Sequence, residues 1–242
     1  MKLIIVRHAE PDYSIDGLTE KGKLEAELLS KRLTKLLPDA FYCSTMGRAR
    51  RTIEPTLAAL GMEAEYCDWL REFDYENKVK LPYREEEKGC WDLLPDFVEE
   101  NPTLYSPAEW RQVDFIKNSR VPDVYESVCR EFDKVLELHG YKRRVNNYLV
   151  TASNHKTLVF TCHFGVGAVL ISHILGCSPY SVWQHTVLLP SSVTVFNSEE
   201  RIEGSALFRA SSIGDTSHLF KVGEENSFMA RFCECFEDDT RH

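Results

Sequence analysis

An arginine and a histidine stand together at the end of the first apolar run of the chain. Arg7 and His8 directly follow residues 3–6, whose sequence Leu-Ile-Ile-Val is typical of a buried strand. In open parallel sheets, ligands bind at the carboxyl ends of the strands. At such a position His8 can act as a nucleophile, a base or a ligand, and Arg7 can neutralise an anion. A motif of only two residues is short, so the alternative is that this Arg-His pair stands at a strand end by chance.

Three further polar groups follow apolar runs in the same way. They are Arg48 within residues 44–52, Glu72 within residues 70–73, and His163 within residues 161–166. The carboxyl ends of parallel strands meet at one edge of a sheet, so we expect all these side chains to lie close to Arg7 and His8.

In order and spacing, this set resembles the histidine phosphatase superfamily, which has the phosphoglycerate-mutase-like fold. The resemblance spans residues 2–73 and about 154–220, and four ordered motifs are far more specific than a single one. It implies a phosphate pocket built from the two arginines and the two histidines.

A phosphate monoester dianion requires charge neutralisation, an in-line nucleophile and a proton for the leaving alkoxide. Arg7 and Arg48 can offer forked donors to phosphoryl oxygens. A neutral His8 can attack phosphorus if a backbone carbonyl holds its other ring nitrogen protonated, and neighbouring arginines favour that neutral form. We expect His163 to complete the pocket, together with the N-terminus of a helix that starts near Gly165.

The resemblance also suggests a general acid. Glu72 matches the acidic residue after the third strand, which many relatives use to protonate the leaving group and then to activate water. Asp74 and Glu76 are alternatives, and a surface carboxylate is the non-catalytic reading of Glu72.

The remaining histidines are less informative. Two could approach the pocket through the C-terminal loops, namely His185 and His218. Three are expected to be structural or exposed, namely His139, His155 and His173.

Three features depart from the phosphoglycerate mutases. Ala9 replaces the commoner glycine, residues 11–17 are shorter and lack the substrate-binding asparagine, and Phe164-Gly165 stands where mutases typically have Gly-Asn. The second and third differences favour a phosphatase. Tyr13 and Phe164 could instead present an apolar wall to a larger substrate.

The elements around these groups predict an α/β fold with a mainly parallel central sheet and helices on both faces, a three-layer α/β/α arrangement. Thr19 is a good N-cap for a first helix. A second helix over about 46–60 should end at Gly61, and Pro55 should kink or divide it. Further helices begin at Asp123 and Gly165, and further strands are predicted over 192–196 and 206–209, the latter at a sheet edge.

The alternation of strands and helices breaks after residue 73. We therefore predict a single domain over residues 1–242, with a cap insertion of about 74–150 over the active site. Its aromatic residues suit either the lining of a lid or a satellite core; they are Tyr83, Trp91, Tyr105 and Trp110.

The net charge of −9 argues against nucleic acid and anionic membranes as partners, and favours a small phosphorylated metabolite. No apolar stretch approaches the ~20 residues of a membrane helix. The eight cysteines are scattered, without a C-x-x-C pair or a secretory signal, as expected of a reduced cytoplasmic protein. The pocket lacks a carboxylate cluster, so we expect neither a metal nor a cofactor. No pattern indicates an oligomeric state.

These observations favour one function and leave two alternatives. The first is metal-independent hydrolysis of a small phosphate monoester through a phosphohistidine, as in a phosphoric monoester hydrolase of the histidine acid phosphatase type. The second is a phosphoglycerate mutase or related phosphotransferase. The third is a non-catalytic member that binds phosphorylated ligands.

Overall fold

A mixed sheet of eight strands forms the centre of the molecule. The computed structural model describes residues 1–73 and 78–227. The strands among these residues are β1 (Lys2–Arg7), β2 (Pro11–Asp12), β3 (Gly17–Leu18), β4 (Ala40–Ser44), β5 (Glu65–Cys67), β6 (Lys78–Val79), β7 (Lys88–Gly89), β8 (Tyr141–Arg143), β9 (Tyr148–Val150), β10 (Thr157–Cys162), β11 (Val193–Ile202) and β12 (Ser205–Asp215). The helices are α1 (Glu20–Leu33), α2 (Gly47–Leu60), α3 (Pro95–Glu99), α4 (Asp114–Lys117), α5 (Val121–Leu138), α6 (Phe164–Leu175), α7 (Pro179–Trp183) and α8 (Ser217–Phe220).

The strand order is β5-β4-β10-β1-β11-β12-β9-β8. The first four strands are parallel, with β1 next to β10 and β10 next to β4. The last four pair antiparallel, beginning with β11 against β1. The predicted three-layer α/β fold is confirmed, and half of its sheet is antiparallel. The edge position predicted for residues 206–209 is wrong at Ala206, which pairs with Tyr148 of β9 because that strand covers the start of β12.

The two faces of the sheet carry separate apolar cores. In β1, Leu3 and Ile5 belong to a large cluster with residues of α5, α6 and α7, whereas Ile4 and Val6 belong to a second cluster with residues of α1 and α2. This division follows from the alternation of side chains along a strand. Strands buried on both faces read as continuous apolar runs, which explains the sequence of residues 3–6.

The helix ends follow the predicted capping chemistry. Thr19 accepts a hydrogen bond from the N–H of Gly22 (3.0 Å) at the start of α1. Gly61 and Gly176 end α2 and α6 in the left-handed conformation, with φ of 64° and 70°. Helix α2 continues through Pro55, so the prediction that Pro55 could divide it is wrong. The helix is held on both sides of the proline by its face buried against the sheet, which includes Ile53 and Leu57.

The predicted insertion has two structurally different parts. Residues 121–150 form α5, β8 and β9, and the two strands belong to the central sheet. The described residues before them, 78–120, contain only short strands, short helices and turns. Trp91 and Trp110 are buried in the large cluster, 8% and 1% exposed, and Tyr83 and Tyr105 pack against it. These aromatic residues therefore form part of the core.

Candidate active site

The end of β1 places Arg7 and His8 at the carboxyl edge of the parallel strands. The N–H of His8 donates to the carbonyl of Cys162 at the end of β10 (2.9 Å), which extends the sheet pairing by one residue. The N–H of Ala9 donates to Oγ1 of Thr52 on α2 (2.9 Å). The backbone on both sides of the His8 side chain is thus fixed by neighbouring elements.

The hydrogen bonds of His8 identify its tautomer. Its Nδ1 lies 2.8 Å from the carbonyl oxygen of Ala9, which can only accept, so Nδ1 carries the proton. Nε of Arg48 donates to His8 Nε2 over 3.3 Å. Burial, with Arg7 and Arg48 nearby, holds the pKa of His8 well below its usual value. The imidazole is therefore neutral, with a lone pair on Nε2.

Arg48, on the first turn of α2, is held on three sides. Besides its Nε contact with His8, one terminal nitrogen pairs with Asp16 (2.7 Å) and the other donates to Sδ of Met46 (3.6 Å). Its guanidinium also lies over the ring of Tyr13, 5.5 Å from the centroid. Tyr13 is 60% exposed, which places it at the outer side of Arg48.

Arg7 is buried on the opposite side of the strand end. Its guanidinium donates to the carbonyl of Leu188, and its backbone N–H donates to the carbonyl of Ser192 (3.1 Å). Burial lowers the pKa of Arg7, and the nearby Glu72 carboxylate opposes that change. The guanidinium lies 5.8 Å from the ring centroid of Phe164. Phe164 is 2% exposed, as deeply buried as Arg7, and packs against it; its place in an apolar wall of the substrate pocket stays a prediction.

His163 precedes α6 as its N-cap residue and faces His8, with ring centroids 5.0 Å apart. Its Nε2 lies 2.8 Å from Oγ of Ser44, and that hydroxyl oxygen also accepts the N–H of Met46 (3.3 Å). The hydroxyl of Ser44 can donate to Nε2, and in that arrangement the imidazole proton of His163 lies on Nδ1. Nδ1 is buried and has no partner among the described residues. Burial and the neighbouring cationic groups hold the pKa of His163 well below its usual value.

Glu72 lies at the N-terminus of α6. Its Oε1 accepts the N–H groups of Phe73 (2.7 Å) and Val166 (3.3 Å). The N–H of Glu72 itself donates to Sδ of Met46 (3.4 Å), the same sulfur that Arg48 contacts. One methionine thus joins the two sides of the site.

Gly165 permits this close approach. A Cβ at this position would lie 2.5 Å from ring atoms of Trp91 and 2.7 Å from Oε1 of Glu72. Such distances exclude any side chain without displacement of a rigid indole or of the candidate acid. The glycine after Phe164 is therefore a packing requirement of the site.

Among the other histidines considered from the sequence, His218 is linked to the backbone of His8 through Ser191. Its Nε2 lies 3.2 Å from Oγ of Ser191, whose N–H donates to the carbonyl of His8 (3.0 Å). His185 pairs with the hydroxyl of Tyr105 (3.0 Å). The remaining three are exposed or engaged elsewhere: His155 is exposed, His173 pairs with Asp133, and His139 contacts Tyr42.

Two predicted alternatives for the acid, Asp74 and Glu76, lie outside the described residues. Within the described residues, no group of three or more His, Cys, Asp or Glu side chains could hold a metal ion. In the same part of the chain, no helix is long and apolar enough to cross a membrane.

Three residues of the site were not predicted from the sequence. Asp16 and Met46 contact Arg48, and Ser44 contacts His163. Ser44 stands within the segment 44–52 that carries Arg48, so its place at a strand end was an available signal. Met46 lies in the same segment but does not directly follow the strand, and Asp16 lies outside it. Their roles depend on a turn packing against a helix start and on a sulfur reaching across the site.

The comparisons with known proteins agree with this geometry. The family model of the histidine phosphatase superfamily (branch 1) matches residues 3–204. A probable phosphatase of Schizosaccharomyces pombe is 26% identical over 236 residues, which cover 90% of this chain and 95% of that protein.

Two solved structures share the fold. One is a mutant phosphoserine phosphatase of Entamoeba histolytica in complex with phosphoserine, with a TM-score of 0.58 at 18% identity. The alignment covers 90% of this chain and 98% of that protein. A mycobacterial glucosyl-3-phosphoglycerate phosphatase in complex with VO3 has a TM-score of 0.59 at 16% identity, with coverages of 89% and 99%. With a family model matched over most of its length, the chain belongs to the histidine phosphatase superfamily.

Proposed function

We propose that this protein is a phosphatase that hydrolyses a small phosphate monoester through a phosphohistidine on His8, without a metal ion. The observation that carries the proposal is the state of His8: Nδ1 is protonated toward Ala9, and Nε2 presents a lone pair beside Arg48. A neutral imidazole held in one tautomer is a prepared nucleophile. The names of the relatives support the same class of reaction.

In the first step, the phosphoryl group binds between Arg7, Arg48 and His163. The two guanidinium groups neutralise its charge, and Nδ1 of His163 donates to one oxygen. Nε2 of His8 attacks phosphorus as the bond to the leaving oxygen breaks. Arg48 transfers its Nε hydrogen bond from His8 to a phosphoryl oxygen, which releases the lone pair for attack.

Glu72 supplies the proton for the leaving oxygen. Its Oε1 accepts two backbone N–H groups, so the acidic proton belongs on Oε2. In the second step, water attacks phosphorus, Glu72 takes the proton from the water, and the P–N bond breaks. His8 returns as neutral imidazole with Nδ1 still protonated, and inorganic phosphate leaves.

The relatives whose structures contain ligands indicate the scale of the substrate. One of them binds phosphoserine. The described pocket is closely packed, with Arg7, His8, Arg48 and His163 all at most 6% exposed. We therefore propose a small phosphorylated metabolite as the substrate.

The test is turnover of a panel of small phosphate monoesters in the presence of excess EDTA. We expect release of inorganic phosphate from at least one ester, with inhibition by vanadate. Activity lost with EDTA and restored by a divalent ion would contradict the metal-independent mechanism. Phosphoryl transfer that depends on a bisphosphorylated primer would identify a mutase. Binding of phosphate without any turnover would identify a non-catalytic member.

A further inference from the structure

Asp16 makes two short contacts at the edge of the site. Its Oδ1 pairs with a terminal nitrogen of Arg48 (2.7 Å), and its Oδ2 accepts the N–H of Gly47 (2.6 Å). Gly47 is the first residue of α2, and Arg48 is the second. One carboxylate therefore holds both the start of the helix and the arginine that the helix carries.

The turn that carries Asp16 is fixed by its neighbours. Strands β2 and β3 pair on either side of it, with Pro11 opposite Leu18 and Asp12 opposite Gly17. The carbonyl oxygen of Asp16 lies so close to α2 that a Cβ on Gly47 would be 2.1 Å away. Asp16 itself takes a left-handed conformation with φ of 45°. Its side chain is 46% exposed, yet its backbone is packed against the helix start.

The pairing with Asp16 orients the rest of the Arg48 guanidinium. With one terminal nitrogen tied to Asp16, the planar group directs Nε to His8 (3.3 Å) and its other terminal nitrogen to Met46 (3.6 Å). A guanidinium has a fixed fork of donors, so holding one edge fixes the direction of the others. The edge beside His8 is the one that a bound phosphoryl group would meet.

We propose that Asp16 is a positioning residue that fixes Arg48 for phosphate binding and in-line attack. This inference rests on the proposed function, in which Arg48 binds the phosphoryl group. It makes a prediction opposite to simple electrostatics. A carboxylate near a dianion repels it, so removal of that charge alone would strengthen phosphate binding. If Asp16 positions Arg48, its removal weakens binding and slows the reaction.

The test variant is Asp16→Asn, which keeps the shape of the side chain. An amide has one oxygen, so it can satisfy either Gly47 or Arg48, while its NH2 group faces a donor at the other contact. A displacement of about 1 Å can cost about 100-fold in rate. We expect kcat/KM for a small phosphate monoester to fall about 10-fold to 100-fold. We also expect the inhibition constant of inorganic phosphate to rise.

The matched control is Asp12→Asn in the same turn. The carboxylate of Asp12 accepts hydrogen bonds only from Ser14 within the described residues, so this variant loses the same charge without touching Arg48. We expect it to leave kcat/KM within about 2-fold of the wild type, because distant exposed charges are screened. A fall as large as that of Asp16→Asn would show that charge on the turn matters and would overturn the positioning role.

A double-mutant cycle separates positioning from a purely structural effect. In an Arg48→Ala background, Asp16→Asn should cause no further loss of kcat/KM, because the residue through which it acts is absent. An equal loss in both backgrounds would show that Asp16 acts independently of Arg48 and would overturn the inference. An unchanged or higher kcat/KM in the single variant would also overturn the inference.

Failure of the proposed function has a different signature. In that case the wild type itself would hydrolyse no phosphate ester. Calorimetric titration with inorganic phosphate would then decide the role of Asp16. Weaker phosphate binding by Asp16→Asn than by the wild type supports positioning, whereas equal or tighter binding contradicts it.

Discussion

The pocket around His8 and the neighbouring segment 78–120 both pack against the start of α6, but they bury opposite kinds of residue. The pocket buries charged and polar side chains, including Arg7, Arg48 and His163. In segment 78–120, every buried residue is apolar; these are Val79, Leu81, Cys90, Trp91, Leu104, Trp110, Val113 and Ile116.

The difference shows where rigidity is needed for chemistry. Buried polar groups require partners, and the pocket finds most of them in strand ends and helix starts, whose backbone positions are fixed by the sheet. Segment 78–120 has only short elements and contributes apolar surface to the core. We propose that, among the described residues, the cap is confined to 78–120, and that its aromatic residues stabilise the fold more than they select the substrate.

The largest expected effect is loss of the nucleophile. We predict that His8→Ala lowers kcat by about 10⁴-fold or more, because enzymes that lose a covalent nucleophile retain only binding and electrostatic effects. His173→Ala is the control, since His173 pairs with Asp133 and lies outside the pocket. Steady-state kinetics of both variants will check this. A comparable loss of kcat in the two variants would contradict the role of His8 as the nucleophile.

The second effect depends on the leaving group. We predict that Glu72→Gln slows phosphorylation of His8 by alkyl phosphates about 10²–10⁴-fold, because an alkoxide needs a proton in the transition state. Nitrophenyl phosphate, whose leaving group is much less basic, should be largely spared in that step. Burst-phase kinetics measure the rate of His8 phosphorylation without interference from the slower hydrolysis of the phosphohistidine. A uniform loss for both esters would assign Glu72 to binding or structure and would direct the search to Asp74 or Glu76.

The third effect belongs to the neighbouring segment. We predict that Trp110→Ala lowers the free energy of unfolding by about 3–5 kcal/mol, as is usual for a buried tryptophan. Trp110 is 1% exposed and packs against Tyr125 and Tyr180. The ratios of kcat/KM across a panel of phosphate esters should stay the same. Urea unfolding and the substrate panel provide the two measurements. If Trp110→Ala changed the ranking of the esters by kcat/KM and left the free energy of unfolding unchanged, the aromatic residues would instead line a lid.

The smallest effect concerns the pH dependence of stability. Glu25 is fully buried, its Oε2 accepts the N–H of Glu10 (2.8 Å), and burial raises its pKa to about 7. The folded protein thus keeps a proton that the unfolded chain loses near 4.5, the ordinary pKa of a glutamate. Stability from this group is therefore fully present below pH 4.5 and falls as pH rises through 7. The loss is about 3 kcal/mol, from about 1.36 kcal/mol for each pH unit between the two values.

Glu25→Gln should remove this pH dependence. Unfolding of both proteins by urea at several values between about pH 4.5 and 8 isolates the contribution of Glu25, because the other groups titrate alike in the two. We expect the free-energy difference between variant and wild type to grow in favour of the variant as pH rises. A constant difference across this range would contradict a raised pKa for Glu25.

Strand patterns predicted the parallel half of the sheet and the meeting of four polar groups at its edge. Arg7, His8 and His163 stand at the end of an apolar run, and Arg48 lies in the segment 44–52 that follows one, so local sequence was sufficient to bring these four residues to one edge. The antiparallel half was less accessible. Its strands include the hairpin of β8 and β9, and their pairing with β12 is set by contacts between distant residues.

Contacts between side chains of different helices, strands and turns could not be predicted from the sequence pattern. The sequence offered Phe164 as part of an apolar wall for a larger substrate, but it did not predict that the first turn of α6 directs this ring toward Arg7 and Trp91. Asp16 could not be connected with Arg48 from sequence, since their contact depends on how the turn after β2 packs on α2. Spacing along the chain predicts which strand ends meet, whereas it does not predict which side chains then touch.

The central claim is that phosphate passes through Nε2 of His8, and chemical quenching of the reacting enzyme tests it most directly. Wild-type protein mixed with labelled phosphate ester and quenched within the burst should carry a phosphate that is labile in acid and stable in base. Peptide mass spectrometry under alkaline conditions should place it on His8, and His8→Ala should carry none. Wild-type turnover without such an intermediate, or a label retained in His8→Ala, would contradict the account.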